Sequence, residues 1–169
     1  MADYTQQFCD ALLAEARRRL FEESIPRLKK CLAELNEEEI WHRPNGHSNS
    51  VGNLVLHLCG NARQWIISGL GGQADTRQRQ QEFDERGPLP TSYLLEMLEQ
   101  LQEDMEAVFQ EIEPAGLLRP RPVQTFQETG LSVLIHVIEH FSYHVGQATY
   151  FVKSLKNTDM GYYHGTSLE

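Results

Sequence analysis

Three of the chain's seven histidines, His136, His140 and His144, follow one another at intervals of four residues. On an α-helix a step of four turns the chain by roughly 40°, so successive imidazoles sit one turn apart on one face. Two imidazoles at i and i+4 can grip a single divalent ion. Glu139 falls on another side of the helix, and the H-E-x-x-H order of helical metalloproteases is absent. A further histidine, His57, stands in the run Asn53-Leu-Val-Leu-His57-Leu-Cys-Gly-Asn61-Ala-Arg-Gln64. At about 100° per residue, Asn53, Asn61 and Gln64 lie within roughly 40° of His57. Leu54, Leu58 and Trp65 flank this polar line and turn it inward, whereas Cys59 falls nearly opposite. Tyr143 and Gln147 share the face of His136 and His140. Two such faces opposed in a bundle would enclose a three-histidine site with water on the open position. The same pattern is met by a metal-free bundle with core histidines. His136 is a fourth candidate, read as packing or support. His42 and His47, in a polar loop, and His164, in the tail, read as surface residues.

Four helical segments must carry these residues. The first spans about Thr5 to Leu35, with Phe21, Ile25, Leu28, Leu32 and Leu35 on one stripe. Pro26 inside it predicts a kink or a fresh start capped by Ser24. The second runs from about Ser50 to Gly69, capped by Asn49 or Ser50 and stopped by Gly69, Gly71 and Gly72. The third runs from about Ser92 to Ile112, with Thr91 or Ser92 as cap and Leu94, Leu98, Leu101, Met105, Val108 and Ile112 on one face. The fourth runs from about Gly130 to Leu155, with Thr129 as cap. The connections are polar or rich in Gly and Pro, and Arg119-Pro120-Arg121-Pro122 is expected to run extended over the surface. The reading is an all-α four-helix bundle with one crossover connection, a single domain over 1–169 with its core at about 5–155 and a tail at 156–169.

A chain of 169 residues with 40% hydrophobic content supports one core. Lysine and arginine total 15 against 24 acids, a formal net charge of −9, which argues against nucleic-acid partners. No run is apolar and long enough to span a membrane. The start lacks the basic and apolar regions of a signal peptide. Cys9, Cys31 and Cys59 form no C-x-x-C pair and read as structural free thiols, so a reducing cytoplasm is expected.

The segments Asn49-Ser-Val-Gly-Asn53-Leu-Val-Leu-His57-Leu-Cys-Gly-Asn61 and Glu139-His140-Phe-Ser-Tyr-His144-Val-Gly-Gln147 resemble the DinB-like (YfiT-like) superfamily of helical-bundle metalloproteins. The pieces Gly71-Gly72…Arg77-Gln-Arg79-Gln-Gln-Glu82-Phe83 and Trp41-His-Arg-Pro44 resemble an uncharacterised branch of it. The resemblance covers about Phe8 to Phe151. It implies a metal triad on His57, His140 and His144, nickel or zinc as the metal, and a homodimer. Some relatives use a low-molecular-weight thiol as cosubstrate.

Three neutral ligands would leave an ion strongly Lewis-acidic and open to a small-molecule substrate. On that reading the chain is a metal-dependent thiol S-transferase or a hydrolase-like enzyme. Asn61, Tyr143 and Gln147 are the candidate catalytic residues, and Asn53 a further substrate contact. Arg63, Arg119 and Arg121 are candidates to hold a carboxylate-bearing cofactor. The alternative is a non-catalytic, metal-stabilised binding or stress-response protein. Leu134, Ile138, Phe141, Val145 and Val152 lie opposite His136, so the fourth helix is expected to be central in the bundle or to face a partner.

Overall fold

The computed structural model describes residues 4–165 and 167. Its first long helix is α1 (Tyr4–Arg17), a π-helical stretch (Arg18–Ser24) and α2 (Ile25–Glu34) in unbroken succession. Pro26 does not restart the helix. Ser24 keeps helical dihedrals and makes no capping bond, and the Ile25 N–H reaches back five residues to the Leu20 carbonyl. Proline has no N–H to give the preceding turn, and the wider π spacing carries the helix past that gap.

A short α3 (Glu37–Trp41) follows, capped by Asn36. Next comes α4 (Val51–Ala62), which runs on as a second π-helical stretch (Arg63–Leu70). Ser50 is its cap: Ser50 accepts from the Asn53 N–H while the Asn53 side chain accepts from the Ser50 N–H. The connection to the third long helix holds α5 (Arg79–Asp84). That helix, α6 (Thr91–Gln110), begins after Pro90 with no side-chain cap, so neither Thr91 nor Ser92 plays the expected part. Pro90 presets the entry, and its carbonyl receives the Tyr93 and Leu94 N–H groups.

After α7 (Pro114–Leu118) the Arg119–Pro122 segment is indeed extended. It forms β1 (Pro120–Val123), paired antiparallel with β2 (Phe126–Thr129), Pro120 opposite Thr129 and Val123 opposite Phe126. The hairpin leads straight into α8 (Gly130–Lys156), which Thr129 caps through the Ser132 N–H.

The four long helices form the bundle, and α8 is its centre. It packs on α2, on α4 and on both π-helical stretches, while α4 also packs on α6. The first long helix therefore leans on α8 rather than on α4, and residues 35–50 cross between non-neighbours. Leu134, Phe141, Val145 and Val152 are buried within this one chain. The apolar side of α8 is thus spent on the bundle core, and of that set Ile138 alone is partly open. Among the described residues no helix is long and apolar enough to cross a membrane.

The central place of α8 sets a stability test. Phe141 is fully buried, so Phe141→Ala should cost about 3–5 kcal/mol in urea unfolding. A loss near the level of an exposed substitution would contradict the packing.

Candidate metal centre

The Ser50–Asn53 cap fixes where α4 starts and therefore which way His57, one turn on, faces. The i, i+4 step on α8 brings His140 and His144 to the same place from the other side. One ring nitrogen from each of His57, His140 and His144 lies within 4.8 Å of the others. His140 Nε2 stands 2.9 Å from His57 Nε2. In a tetrahedral zinc site with ligand bonds of about 2.0–2.1 Å, ligand nitrogens sit roughly 3.3 Å apart. The His57–His140 pair is therefore close to the spacing one ion requires, the His144 nitrogen lies within 4.8 Å of both, and the donor set suits nickel or zinc.

The outer nitrogens are already engaged. His57 Nδ1 lies 2.9 Å from Glu82 Oε2, and Arg77 donates to the same carboxylate through Nε (2.7 Å) and Nη2 (2.8 Å). Arg77 Nη2 is also 3.2 Å from His57 Nδ1. A guanidinium has no lone pair to offer, and the carboxylate has no proton, so the consistent arrangement has Nδ1–H and Arg77 sharing Glu82 as acceptor. That tautomer turns the His57 Nε2 lone pair toward the other two rings. His144 Nδ1 similarly bonds Gln147 Oε1 at 2.8 Å, leaving its Nε2 free. Carboxylates and amides behind histidines in this way orient metal ligands and raise their basicity.

The electrostatics favour neutral rings for the histidines of α8. Burial, and then the neighbouring His144 and His57, push His140 down to about 3. Burial also lowers His144 and His136. For Glu82 burial works toward a higher pKa, but the Arg77 and His57 hydrogen bonds outweigh it and the carboxyl ends below its ordinary value.

Glu82 and Arg77 are not visible as supporting groups from sequence, because they lie in the connection 71–90, where no periodicity points to a face. One signal is present. A Cβ on Gly60 would collide with Glu82 Oε1, so this glycine on the outside of α4 marks where a second segment closes in. Asn53 is corrected from substrate contact to scaffold. Its Oδ1 accepts from Arg43 (2.7 Å) and Ser50, and its Nδ2 donates to the carbonyls of Glu82 (2.9 Å) and Glu85 (3.0 Å). It holds the loop that carries the carboxylate.

Of the candidate catalytic residues, Asn61 is buried beside the triad and bonds His136 Nε2 through Nδ2 at 3.3 Å. Gln147 supports His144, and Tyr143 is mostly exposed with its ring against His144. His136 stacks on Trp65, ring centroids 3.7 Å apart, and stands outside the triad. The arginines expected to hold a cofactor are placed elsewhere. Arg63 pairs with Asp104 at 2.7 Å, Arg121 ties the carbonyls of Gly69 and Gly116, and Arg119 lies exposed away from the cavity. Cys9, Cys31 and Cys59 are buried free thiols, and burial pushes Cys59 up to about 12. His42, His47 and His164 are exposed.

Two members of the triad, His57 and His140, open on a cavity of about 330 Å³ that Asn61, Trp65, Arg77 and Arg79 also line. Gln124, Phe126, Glu128 and His136 complete its wall. Its volume falls in the range of small-molecule sites.

Comparison with known proteins agrees with this picture. The family described as "Protein of unknown function (DUF1572)" matches residues 7–163, and the chain belongs to it. No curated protein matches the chain. Among solved structures, a DinB-like protein from Bacillus subtilis, YjoA, aligns at TM-score 0.65 and 15% identity over 88% of this chain and 94% of its own. A conserved protein from Enterococcus faecalis aligns at TM-score 0.68 and 16% identity, covering 90% and 98%. A DinB-like protein from Bacillus cereus aligns at TM-score 0.62 and 17% identity, covering 80% and 88%. At these identities the likeness establishes the DinB-like fold.

The lowered histidines make stability pH-dependent. Each binds its proton more weakly in the folded chain than in the unfolded one, so acidification below the ordinary histidine pKa of about 6.5 favours unfolding. Metal-free protein should therefore lose urea resistance steadily from about pH 7 to 5. His140→Ala should flatten that slope; an unchanged slope would contradict a neutral buried His140.

Proposed function

We propose that this DUF1572 chain is a metal-dependent enzyme in which His57, His140 and His144 hold one zinc or nickel ion with a coordination position open to the cavity. The observation that supports it is the convergence of three ring nitrogens, two of them from residues that line a cavity, with Glu82 and Gln147 behind His57 and His144. A bound ion would act there as a Lewis acid, lowering the pKa of a coordinated water or small-molecule thiol. The chain's own residues do the rest. Glu82 and Gln147 hold two of the ligand rings in one tautomer, Trp65 restricts water, and Asn61 orients a bound group. The reaction class that fits is transfer of a small thiol to an electrophile, with hydrolysis as the variant in which water is the nucleophile. A purely structural, metal-stabilised protein is the second reading; the same open cavity speaks against it, since structural sites are closed. We place the protein in the cytoplasm, in keeping with its three reduced thiols.

We also infer a homodimer. With the far side of α8 buried in its own chain, the support lies in Ile135, Tyr143 and Tyr150, exposed on the side of α8 that faces solvent. Light scattering at micromolar concentration should give twice the chain mass; a monomer would remove the dimer without touching the metal site.

The metal reading is tested by elemental analysis of protein purified without a histidine tag. About one zinc or nickel per chain is expected, in line with a three-histidine site. His57→Ala, His140→Ala and His144→Ala should each abolish it, and Glu82→Gln should weaken zinc binding about 10–100-fold. Replacing Cys9, Cys31 and Cys59 together should leave it unchanged. Full metal in the histidine variants refutes the triad. With cobalt in place of the native ion, a sulfur charge-transfer band on adding a small thiol supports thiol transfer, and its absence favours hydrolysis.

A further inference from the structure

Two polar atoms in the wall residues of the 330 Å³ cavity have no partner among the described residues. Asn61 Oδ1 is buried and accepts no hydrogen bond, and the Trp65 indole N–H is buried and donates none. An orphaned buried acceptor or donor costs about 1–3 kcal/mol, and native proteins rarely leave one without use. These two are of opposite kind, and they belong to residues one turn apart on the same long helix.

The charges of the same cavity divide in the same way. Arg77 is consumed by Glu82. Arg79 is exposed and rests its guanidinium over the Phe83 ring, 4.9 Å from the centroid, with no acid paired to it among the described residues. Glu128 is half-buried; its carboxylate accepts only from the Ser132 hydroxyl, at 2.5 Å, and meets no cation among the described residues. Asn61 Oδ1 and Glu128 thus ask for N–H donors, while Arg79 and the Trp65 N–H ask for an anion. One free positive and one free negative side chain balance a ligand with one charge of each sign. Glu128 would repel a dianion such as a phosphate ester from its own end of the cavity. Trp65, His136 and Phe126 add an aromatic wall.

We propose that this cavity binds a zwitterionic α-amino carboxylate with an apolar or aromatic side chain. Its ammonium bonds Asn61 Oδ1 and Glu128, and its carboxylate bonds Arg79 and the Trp65 N–H. The inference rests on the reading of the cavity as a substrate site beside the metal, and it names the class of molecule that site takes.

L-Phenylalanine is the probe, with 3-phenylpropionate lacking the ammonium and 2-phenylethylamine lacking the carboxylate. Calorimetric titration of zinc-loaded protein should show saturable binding of phenylalanine, and both analogues should bind at least about tenfold more weakly. Glu128→Gln should weaken phenylalanine by a similar factor and leave 3-phenylpropionate unchanged. Arg79→Gln should weaken phenylalanine and leave 2-phenylethylamine unchanged. Both side chains reach solvent, so these variants keep the fold, and Asn61→Ala provides a third, buried check. Absence of saturable phenylalanine binding, equal binding of the three probes, or indifference to Glu128 and Arg79 overturns the inference. Zinc content is measured on the same samples. One zinc per chain without phenylalanine binding sinks this inference alone, whereas failure to hold zinc sinks the metal reading, whatever the probes do.

Discussion

A single buried carboxylate organises the site. Glu82 receives the Arg77 guanidinium and the His57 ring at once, with the Arg77 and Glu82 side chains 4% and 11% exposed. Removing one member of so buried a pair leaves the other uncompensated, at a cost of about 3–5 kcal/mol. The pair therefore dictates what surrounds it. Position 60 must lack a side chain, because a Cβ there would occupy the place of Glu82 Oε1. Asn53 must spend its amide on the Glu82 and Glu85 carbonyls, and Arg43 must brace Asn53 and the Phe83 carbonyl. Only with these in place does His57 turn Nε2 toward α8.

The helices supply the complementary half. α8 carries two jobs on one rod: Leu134, Phe141 and Val152 fill the core, and His140 and His144 meet His57 across it. Because the apolar and polar stripes share the same 3.6-residue period, any rotation of α8 that exposed Phe141 would also withdraw the histidines. The packing energy of the core thus preorganises a site that contributes little packing of its own.

The helical part of this is legible in the sequence for that reason. Periodicity places Leu94 through Val108 on one face of α6, and residue spacing alone aligns His140 with His144 and Asn53 with His57. Caps are readable where a side chain makes the bond, as at Ser50 and Thr129, and misleading at Thr91, where Pro90 sets the entry through its fixed φ. What periodicity cannot reach is the connection 71–90, whose partners are set by tertiary contact. Nothing in the spacing of Glu82 marks it as a support for His57, and Asn53 resembles a substrate group because its true partners are backbone carbonyls some thirty residues on. The arginines failed as candidates for a related reason: sequence shows a charge but not whether it is already paired, and Arg63 and Arg121 are engaged while Arg79 is not.

The anchoring of that connection divides it into two materials. A twenty-residue link between helices would ordinarily tolerate nicking and insertion along its length. Here Arg77, Glu82, Phe83 and Glu85 are riveted from below, whereas Gln73–Thr76 lie exposed and are tied at the surface, through the Gln73 N–H to the Ile67 carbonyl and through Asp75 to Gln64. Protein engineers seeking a place to splice a tag, and chains drifting in length over evolutionary time, would give up only surface bonds in those four positions, against buried ones in the stretch that follows.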